Sequence, residues 1–537
     1  RIPHRTTGRS ITESDWEGTA GGESAHIAVD PKDNDIVYGG SYGGYLTRYN
    51  HKTKSQRAIN VWPDNPMGHG AEGMKYRFQW NFPILFSKHE PNKLYAFSNN
   101  VHVTTNEGQS WETISPDLTR NDPTKLVSSG GPITQDNTSV EYYCTIFAAA
   151  ESPLKAGELW VGSDDGLVHL SKDGGKNWTN VTPKDLPEWA QINSIEPSRY
   201  DAATCYLAAT RYKLGDFAPY LYKTTDYGKN WKKITNGIPA EHFSRVIRED
   251  DQVQGMLYAG TETGLYISTN DGKTWKSFQM NLPIVPITDL AVKDNNLVIA
   301  TQGRSLWIHD DLGLVRDAFS SSLESTSSRV EKRKQNSNQL FKPKTAYRMG
   351  GSGRAGSLTA GANHPSGVQV HYYLPEVTKK DSVSLSFYDS KNQLIKTYAS
   401  YNKKDKLKIK KGANLFNWDT QYDGAERLPG MILWWANLSG PQATPGNYKV
   451  ELTVNGETRS QPITIIPAPN AEASVADMQA QFDFVKEVNA TVDKAHKSIK
   501  NIRAFNKKLS AFESLYGDRE EKGIKDMIKM SKEMKEK

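Results

Sequence analysis

The chain has 537 residues, 36% hydrophobic and 24% charged, with a formal net charge of +6. That length exceeds one ordinary core, so two or three domains are expected. The mild basic balance forms no dense Lys/Arg face in the body, which excludes a nucleic-acid footprint, and no run of eighteen apolar residues offers a membrane span.

Aromatics and glycine are plentiful, with 13 Trp, 25 Tyr, 16 Phe and 42 Gly, which favours a turn-rich β protein. The opening at Arg1 shows no signal peptide, and the Lys-rich end has no stop signal. Both ends read as cuts in a longer secreted precursor.

Residues 1–315 are repetitive. A turn followed by a short aromatic-tipped strand recurs as DPKDNDIVYGG, HEPNKLYAFS, SPLKAGELWVGS, PSRYDAATCYLAA, EDDQVQGMLYAG and VKDNNLVIAT. Its anchors are Tyr38, Tyr95, Trp160, Tyr206, Tyr258 and Val298. Spacings of roughly 40–65 residues suit a four-stranded propeller blade with variable loops. The fifth repeat reads as four strands: HFSRVIRE, GMLYAGT, GLYIST and TWKSFQ. Six such units fit between residues 24 and 311, and a seventh is expected from residues 1–23 or from a preceding segment.

An octapeptide recurs inside these units: TTNEGQSW at 104, SKDGGKNW at 171, TTDYGKNW at 224 and STNDGKTW at 268. In Ser/Thr-x-Asp/Asn-x-Gly-x-x-Trp the Asp or Asn side chain can bond backbone N–H groups two residues on. The Gly supplies positive φ for a hairpin, and the Trp packs on a neighbouring strand or blade. Catalysis would need one constellation, not four copies, so the pattern reads as structural.

These octapeptides resemble Asp boxes, the BNR repeats of sialidases, some other glycoside hydrolases and sortilin-type propellers. With YGGSYGGYLTRYN, KYRFQWNFPI, SWETISPDLTRND, GTETGLYIS and ATQGRSLWIHDDL, residues 1–470 resemble the large bacterial secreted proteins described as VPS10/sortilin-like or BNR-repeat glycosyl hydrolase-like. The resemblance implies a β-propeller, incomplete at its N-terminus. It implies no activity, because non-enzymes carry the same boxes.

Ligands of propellers bind at the axial face, and there the first strands carry unusual side chains. These are Tyr76, Arg77, Gln79, Trp80 and Asn81, then Glu141, Tyr142 and Tyr143. Gln191, Asn193, His242, Arg245 and Asp289 follow, and loops add Arg211, Tyr212, Glu262 and Arg304. Aromatic faces stack on sugars while Gln, Asn and Arg bond hydroxyls. A glycosidase needs two carboxylates about 5–9.5 Å apart. Glu141, Asp164, Asp165, Glu196 and Glu262 are the available acids, with Glu141 the first candidate for a catalytic acid. The competing reading has these acids capping turns or pairing with Arg77, Arg211 and Arg245. A sialidase arginine cluster is not compelled by any local motif.

No metal site and no cofactor is expected. His26, His51, His69, His89 and His102 are scattered, and SDDG at 163–166 reads as a turn. Cys144 and Cys205 fit no metal spacing and read as two buried thiols, with a disulfide the alternative.

Residues 316–365 are expected as a linker, because SSSLESTSSRVEKRKQNSNQ has no core pattern and GGSGRAGS looks flexible. Over 366–467 the alternating runs VQVHYYL, VSLSFYD, LIKTYAS, NLFNWDT, YKVELTV and QPITIIP predict a β-sandwich. It resembles the Ig-like module that follows the propeller in the same family. Over 468–537, Met478, Phe482, Val485, Val488, Val492, Ile499 and Ile502 recur at helical steps and predict a helical tail.

The chain therefore reads as a mainly β protein: a six- to seven-bladed β-propeller with Asp-box hairpins, an Ig-like sandwich and a helical C-terminal segment. The expected function is a secreted or cell-surface recognition protein, the periplasm being an alternative, binding a glycan, peptide or protein partner at the axial face. The alternatives are a glycoside hydrolase, and an envelope subunit docking through its sandwich or tail.

Overall fold

The computed structural model of the chain describes residues 1–537 except 9, 25, 65–67, 69, 132, 136–141, 324–336, 352–358 and 537. It divides into two compact units. The first comprises Arg1 and Glu17–Glu324, the second Ile2–Trp16 and Ser325–Lys537.

In the first unit, six antiparallel sheets follow one another among the described residues, over 27–58, 84–113, 146–180, 191–233, 244–277 and 287–309. The first five have four strands and the sixth has three, and every strand pairs with its sequence neighbour. First strands of most successive sheets pack on one another, which is the architecture of a β-propeller. The fifth repeat is built as its sequence suggests, from Ser244–Glu249, Leu257–Thr261, Gly264–Ser268 and Lys276–Ser277. All six anchors fall on second strands, where Tyr38, Tyr95, Trp160, Tyr206 and Tyr258 are buried. The outer flanks are less covered: Ile27 and Val29 of the first sheet and Leu306 of the sixth are exposed.

Two expectations change. Residues 1–23 add no sheet to the propeller, since Ser10–Ile11 pairs with Gly361–Ala362 inside the second unit. The span expected as a linker opens in helix α1, Leu312–Leu323. Leu312 and Val315 join the apolar cluster around Tyr258 and Leu290. Arg316 reaches the fully buried Asp250 at 2.8 Å and Asp251 at 2.6 Å. Asp250 also accepts from the Tyr258 hydroxyl and from the backbone of Gln252 and Val253, so a buried charge is paired and fully bonded. Parts of the polar run and of GGSGRAGS lie outside the described residues.

Apart from the Ser10–Ile11 and Gly361–Ala362 pair, the strands of the second unit form a sandwich of two sheets. One has the strands Gln339–Leu340, Val368–Leu374 and Gly412–Trp418. The other joins Ala346–Arg348, Glu457–Pro467, Gly446–Val454, Val383–Tyr388 and Leu394–Ala399, with one parallel pair at Ala346 and Ile465. Alternation puts Val368, Val370, Tyr372 and Leu374 inward against Leu385, Phe387, Val450 and Leu452. Phe387 stacks on Trp418 across the core, 4.5 Å between ring centroids. Helices α2, Val475–Tyr516, and α3, Lys522–Glu536, follow. Ser474 caps α2 through a capping box with Asp477. Of the seven apolar positions read from the sequence, Met478 is buried, whereas Val488, Ile499 and Ile502 are exposed. A loop of this unit also exposes Ile432, Trp434 and Trp435, the two tryptophans at 89% and 93%.

Cys144 and Cys205 are both buried and free, as two thiols rather than a disulfide. No helix among the described residues is long and apolar enough to cross a membrane.

Candidate functional site

Antiparallel connection gives each propeller sheet two distinct ends. Turns from strand one to two and from three to four lie at one end. Turns from two to three, and segments leading into strand one, lie at the other.

The octapeptides are the three-to-four turns, and all four use the same bonds. The Ser/Thr hydroxyl accepts from the Gly amide: Gly108 to Thr104 at 3.0 Å, and Gly175, Gly228 and Gly272 to Ser171, Thr224 and Ser268 at 2.9 Å. The Asn or Asp oxygen accepts from the amide four residues on, not two, as from Ser110 to Asn106 at 3.0 Å. Each indole N–H then donates to a carbonyl just past the last strand of the preceding sheet. Trp111 bonds Ile59 at 3.0 Å, Trp178 bonds Ile114 at 3.1 Å, Trp231 bonds Val181 at 2.7 Å and Trp275 bonds Ile234 at 2.6 Å. The glycines have φ of +75° to +93°, and a Cβ would fall within 2.7–2.8 Å of those same Ile and Val residues. The repeat is a latch between sheets, with its polar groups used up internally.

The other end is irregular. The first strands of sheets three to six each carry a bulge near their start, at Ile146/Ala148, Ile192/Ser194, Ser244/Val246 and Ile287/Asp289. Bulges re-aim side chains, and here the extra residues include Asn193 and Arg245. Between the third and fourth sheets lies a cleft of about 410 Å³. Its lining includes Lys125, Tyr143, Asp164, Trp189, Gln191, Thr210, Arg211, Tyr212, Lys213 and Leu214.

Trp189 is held in an unusual way. Its φ is +64°, a conformation that bulky residues rarely adopt. Gly166 packs so closely that a Cβ there would sit 3.0 Å from the Ala190 carbonyl oxygen. Tyr143 stacks on the indole at 6.0 Å, and the Arg120 guanidinium sits 4.7 Å from its centroid. Arg120 is fixed by Asp165, which accepts from its amide at 2.7 Å and, through the backbone carbonyl, from its Nε at 2.8 Å. Such strain persists where the surroundings over-determine it and is common at ligand sites.

Asp164 is 2% exposed. It accepts from the Thr145 amide at 2.9 Å and hydroxyl at 2.6 Å, and from Gln79 at 3.4 Å. Burial outweighs those bonds and pushes its carboxyl up to about 7. Thr210 is likewise 2% exposed, and its hydroxyl has no hydrogen-bond partner among the described residues. Opposite, Tyr212 stacks on Phe243 at 5.0 Å. Arg211 donates to the Glu188 carbonyl at 2.9 Å, and Lys213 donates to Gln191 at 3.1 Å.

Four of the residues read from the sequence as ligand contacts, Tyr143, Gln191, Arg211 and Tyr212, thus line one cleft, with Gln79 behind it on Asp164. Arg77 does not face a ligand surface: it is buried, ion-paired to Asp117 at 2.6 Å and bonded to the Cys144 carbonyl at 3.2 Å. Tyr76 is half-buried against the core of the first two sheets beside His102, with its hydroxyl on Thr113. Trp80 is half-buried, Asn81 accepts from Ser24, and Tyr142 is buried in a small cluster with Cys144. Arg245 pairs with Glu262 at 2.6 Å beside Tyr212, and Arg304 lies exposed on the sixth sheet. Of the four arginines, Arg211 lines the cleft and Arg245 sits against the cleft residue Tyr212, whereas Arg77 is held by Asp117. Glu141 and His69 lie outside the described residues.

Sequence reasoning missed Trp189, Thr210, Lys125 and Lys213. Trp189 in PEWAQIN, just ahead of Gln191, carried the one available signal: a large aromatic in a loop entering a first strand.

No family model matches the chain. Two curated relatives do so over short stretches. An oligoxyloglucan-reducing end-specific xyloglucanase of Emericella nidulans is 24% identical over 108 residues, 20% of this chain and 13% of that protein. A probable enzyme of the same description from Neosartorya fischeri is 23% identical over 175 residues, 32% of this chain and 19% of that protein. The chain thus spans less than a fifth of either relative. Among solved structures, a GH74 xyloglucanase of Xanthomonas campestris overlaps 53% of this chain and 44% of its own at 17% identity, TM-score 0.39. YCF48 bound to D1 peptide overlaps 57% and 85% at 16% identity, TM-score 0.37. At these scores the overlaps are partial, and the propeller architecture stands on the strand order of the chain itself.

Proposed function

We propose that the first unit is a glycan-recognition propeller whose ligand occupies the cleft between its third and fourth sheets. The observation that carries this reading is the cleft lining: three aromatic rings, Tyr143, Trp189 and Tyr212, converge with Gln191, Thr210 and Arg211 in about 410 Å³. Apolar rings with a few placed polar groups are what a sugar requires. The short similarity to two xyloglucan-oligosaccharide enzymes supports a glycan over a peptide. We read the six sheets as six blades of a sortilin-like, secreted or cell-surface protein. The exposed flanks at Ile27, Val29 and Leu306 are where a further blade would pack. The sandwich, read as Ig-like, is the partner-facing module, since it carries the exposed Trp434 and Trp435.

Glycan binding is tested by titrating oligosaccharides into the wild-type chain and Trp189→Ala. Binding that survives this substitution unchanged removes the cleft from consideration.

A glycoside hydrolase is the second reading, favoured by Asp164. A carboxyl held near 7 in a cleft has the protonation a general acid needs. Against it, Asp164 is the single carboxylate among the described lining residues, and retaining or inverting hydrolysis takes a pair. Release of reducing ends by wild type and its loss in Asp164→Asn would move the assignment to the enzyme.

A further inference from the structure

The cleft carries an excess of cations. Lys125, Arg211 and Lys213 line it against the one carboxylate of Asp164. Lys213 donates to the neutral Gln191 amide, and Lys125 lies 5.9 Å from the Trp189 ring centroid. Neither lysine makes an ion pair among the described residues, although the Asp122 carboxylate lies within the field of Lys125. Arg211 is offset in part by Asp216, 3.7 Å away. Asp164 does not restore the balance, because burial favours its neutral form and Thr145 holds both its oxygens. A neutral sugar entering here would bring no counter-charge to these cations, whereas a carboxylate would.

Thr210 is a second, independent mark. Its hydroxyl is buried and unbonded, and such groups are satisfied in native proteins by a ligand or an ordered water. Trp189, strained into left-handed φ beside it, supplies an aromatic platform.

Resting on the glycan reading above, we propose that the cleft selects carboxylated glycans of the uronate type. The sugar ring packs against Trp189, its carboxylate lies toward Lys213 and Arg211, and a ring hydroxyl meets Thr210. Arg211 offers a planar donor fork and Lys213 a point charge, the pairing that recognises a carboxylate.

The test uses the full chain in calorimetric titrations at physiological salt. Probes are oligogalacturonate, oligomannuronate and a glucuronate-containing oligosaccharide, each beside its methyl ester, with neutral xyloglucan oligosaccharides for comparison. The expected result is at least one acid bound about tenfold tighter than its ester, the value of a charge-assisted bond. Lys213→Gln, at an exposed position, should erode that preference without shifting the melting temperature. Trp189→Ala should weaken acid and ester alike. If esters or neutral oligosaccharides bind as tightly as acids, selection for carboxylates is wrong while glycan recognition stands. If no oligosaccharide of either kind binds, both fall together.

Discussion

The two ends of the propeller sheets differ in kind. At the octapeptide end, four turns repeat one set of donors and acceptors, and each tryptophan is tied to the sheet before it. At the other end the bulges recur, and so does a Ser/Thr hydroxyl that donates across the two-to-three turn at Ser98, Ser163, Thr261 and Thr301. There the chain also keeps a strained Trp189, a Thr210 hydroxyl left unbonded at that same position, and a carboxyl held near 7. Repetition marks what every blade needs to stand beside its neighbour. Irregularity marks where one place does something the others do not. Aromatic residues occur at both ends, so residue type alone does not separate latch from platform.

That contrast can be broken by substitution. The largest effect is expected at the end where first strands finish. Arg316→Ala leaves Asp250 buried and unpaired, and should cost about 3–5 kcal/mol in denaturant unfolding. A loss under about 1 kcal/mol would mean that α1 does not brace the propeller. Next come two glycines of equal backbone geometry. Gly228, φ +79°, would place a Cβ 2.7 Å from the Val181 Cβ, whereas Gly215, φ +76°, has nothing within 4 Å. Gly228→Ala should cost about 2–4 kcal/mol from left-handed strain plus overpacking. Gly215→Ala should cost about 1–2 kcal/mol from strain alone. Equal melting points would show that the latch is not tight.

Asp164 gives a pH signature. Its folded-state value lies above the ordinary carboxyl value of 3.8, so the native chain holds a proton that the unfolded chain has released. The contribution to stability is greatest at low pH and is lost as pH rises from about 4 to about 7. The difference between wild type and Asp164→Asn should therefore change by at most roughly 1.4 kcal/mol per pH unit in that window and flatten above it. A flat difference throughout would place Asp164 in a wetter, ordinary environment. Smallest of all is Lys213→Gln, an exposed change expected to stay within about 0.5 kcal/mol of wild type in stability. Its effect belongs to ligand binding alone.

Much of the fold was legible, because it is written locally. The anchors Tyr38 to Val298 and the four octapeptides are short-range patterns, and the strands of the sandwich alternate cleanly. The errors were non-local. Arg77 looked like a ligand contact until Asp117, 40 residues away, was found beside it. From Arg316 onward α1 reads as a linker in the sequence because the partner of Arg316, Asp250, lies 66 residues back. The cleft was half legible for the same reason. Tyr143, Arg211 and Tyr212 stood out as aromatic or basic residues at strand ends. Trp189 and Thr210 gain their meaning only when the third and fourth sheets pack side by side.

The measurement that bears most directly on the account compares two tryptophans. The oligosaccharide panel is titrated into wild type, Trp189→Ala and Trp231→Phe, with melting temperatures recorded alongside. The expected result is a glycan that binds wild type and Trp231→Phe equally, with Trp189→Ala at least about tenfold weaker. Trp231→Phe should lose stability instead, by about 1 kcal/mol, for its bond to the Val181 carbonyl. Binding that is indifferent to Trp189, or that fails through Trp231 at unchanged stability, would contradict the division between latch and cleft.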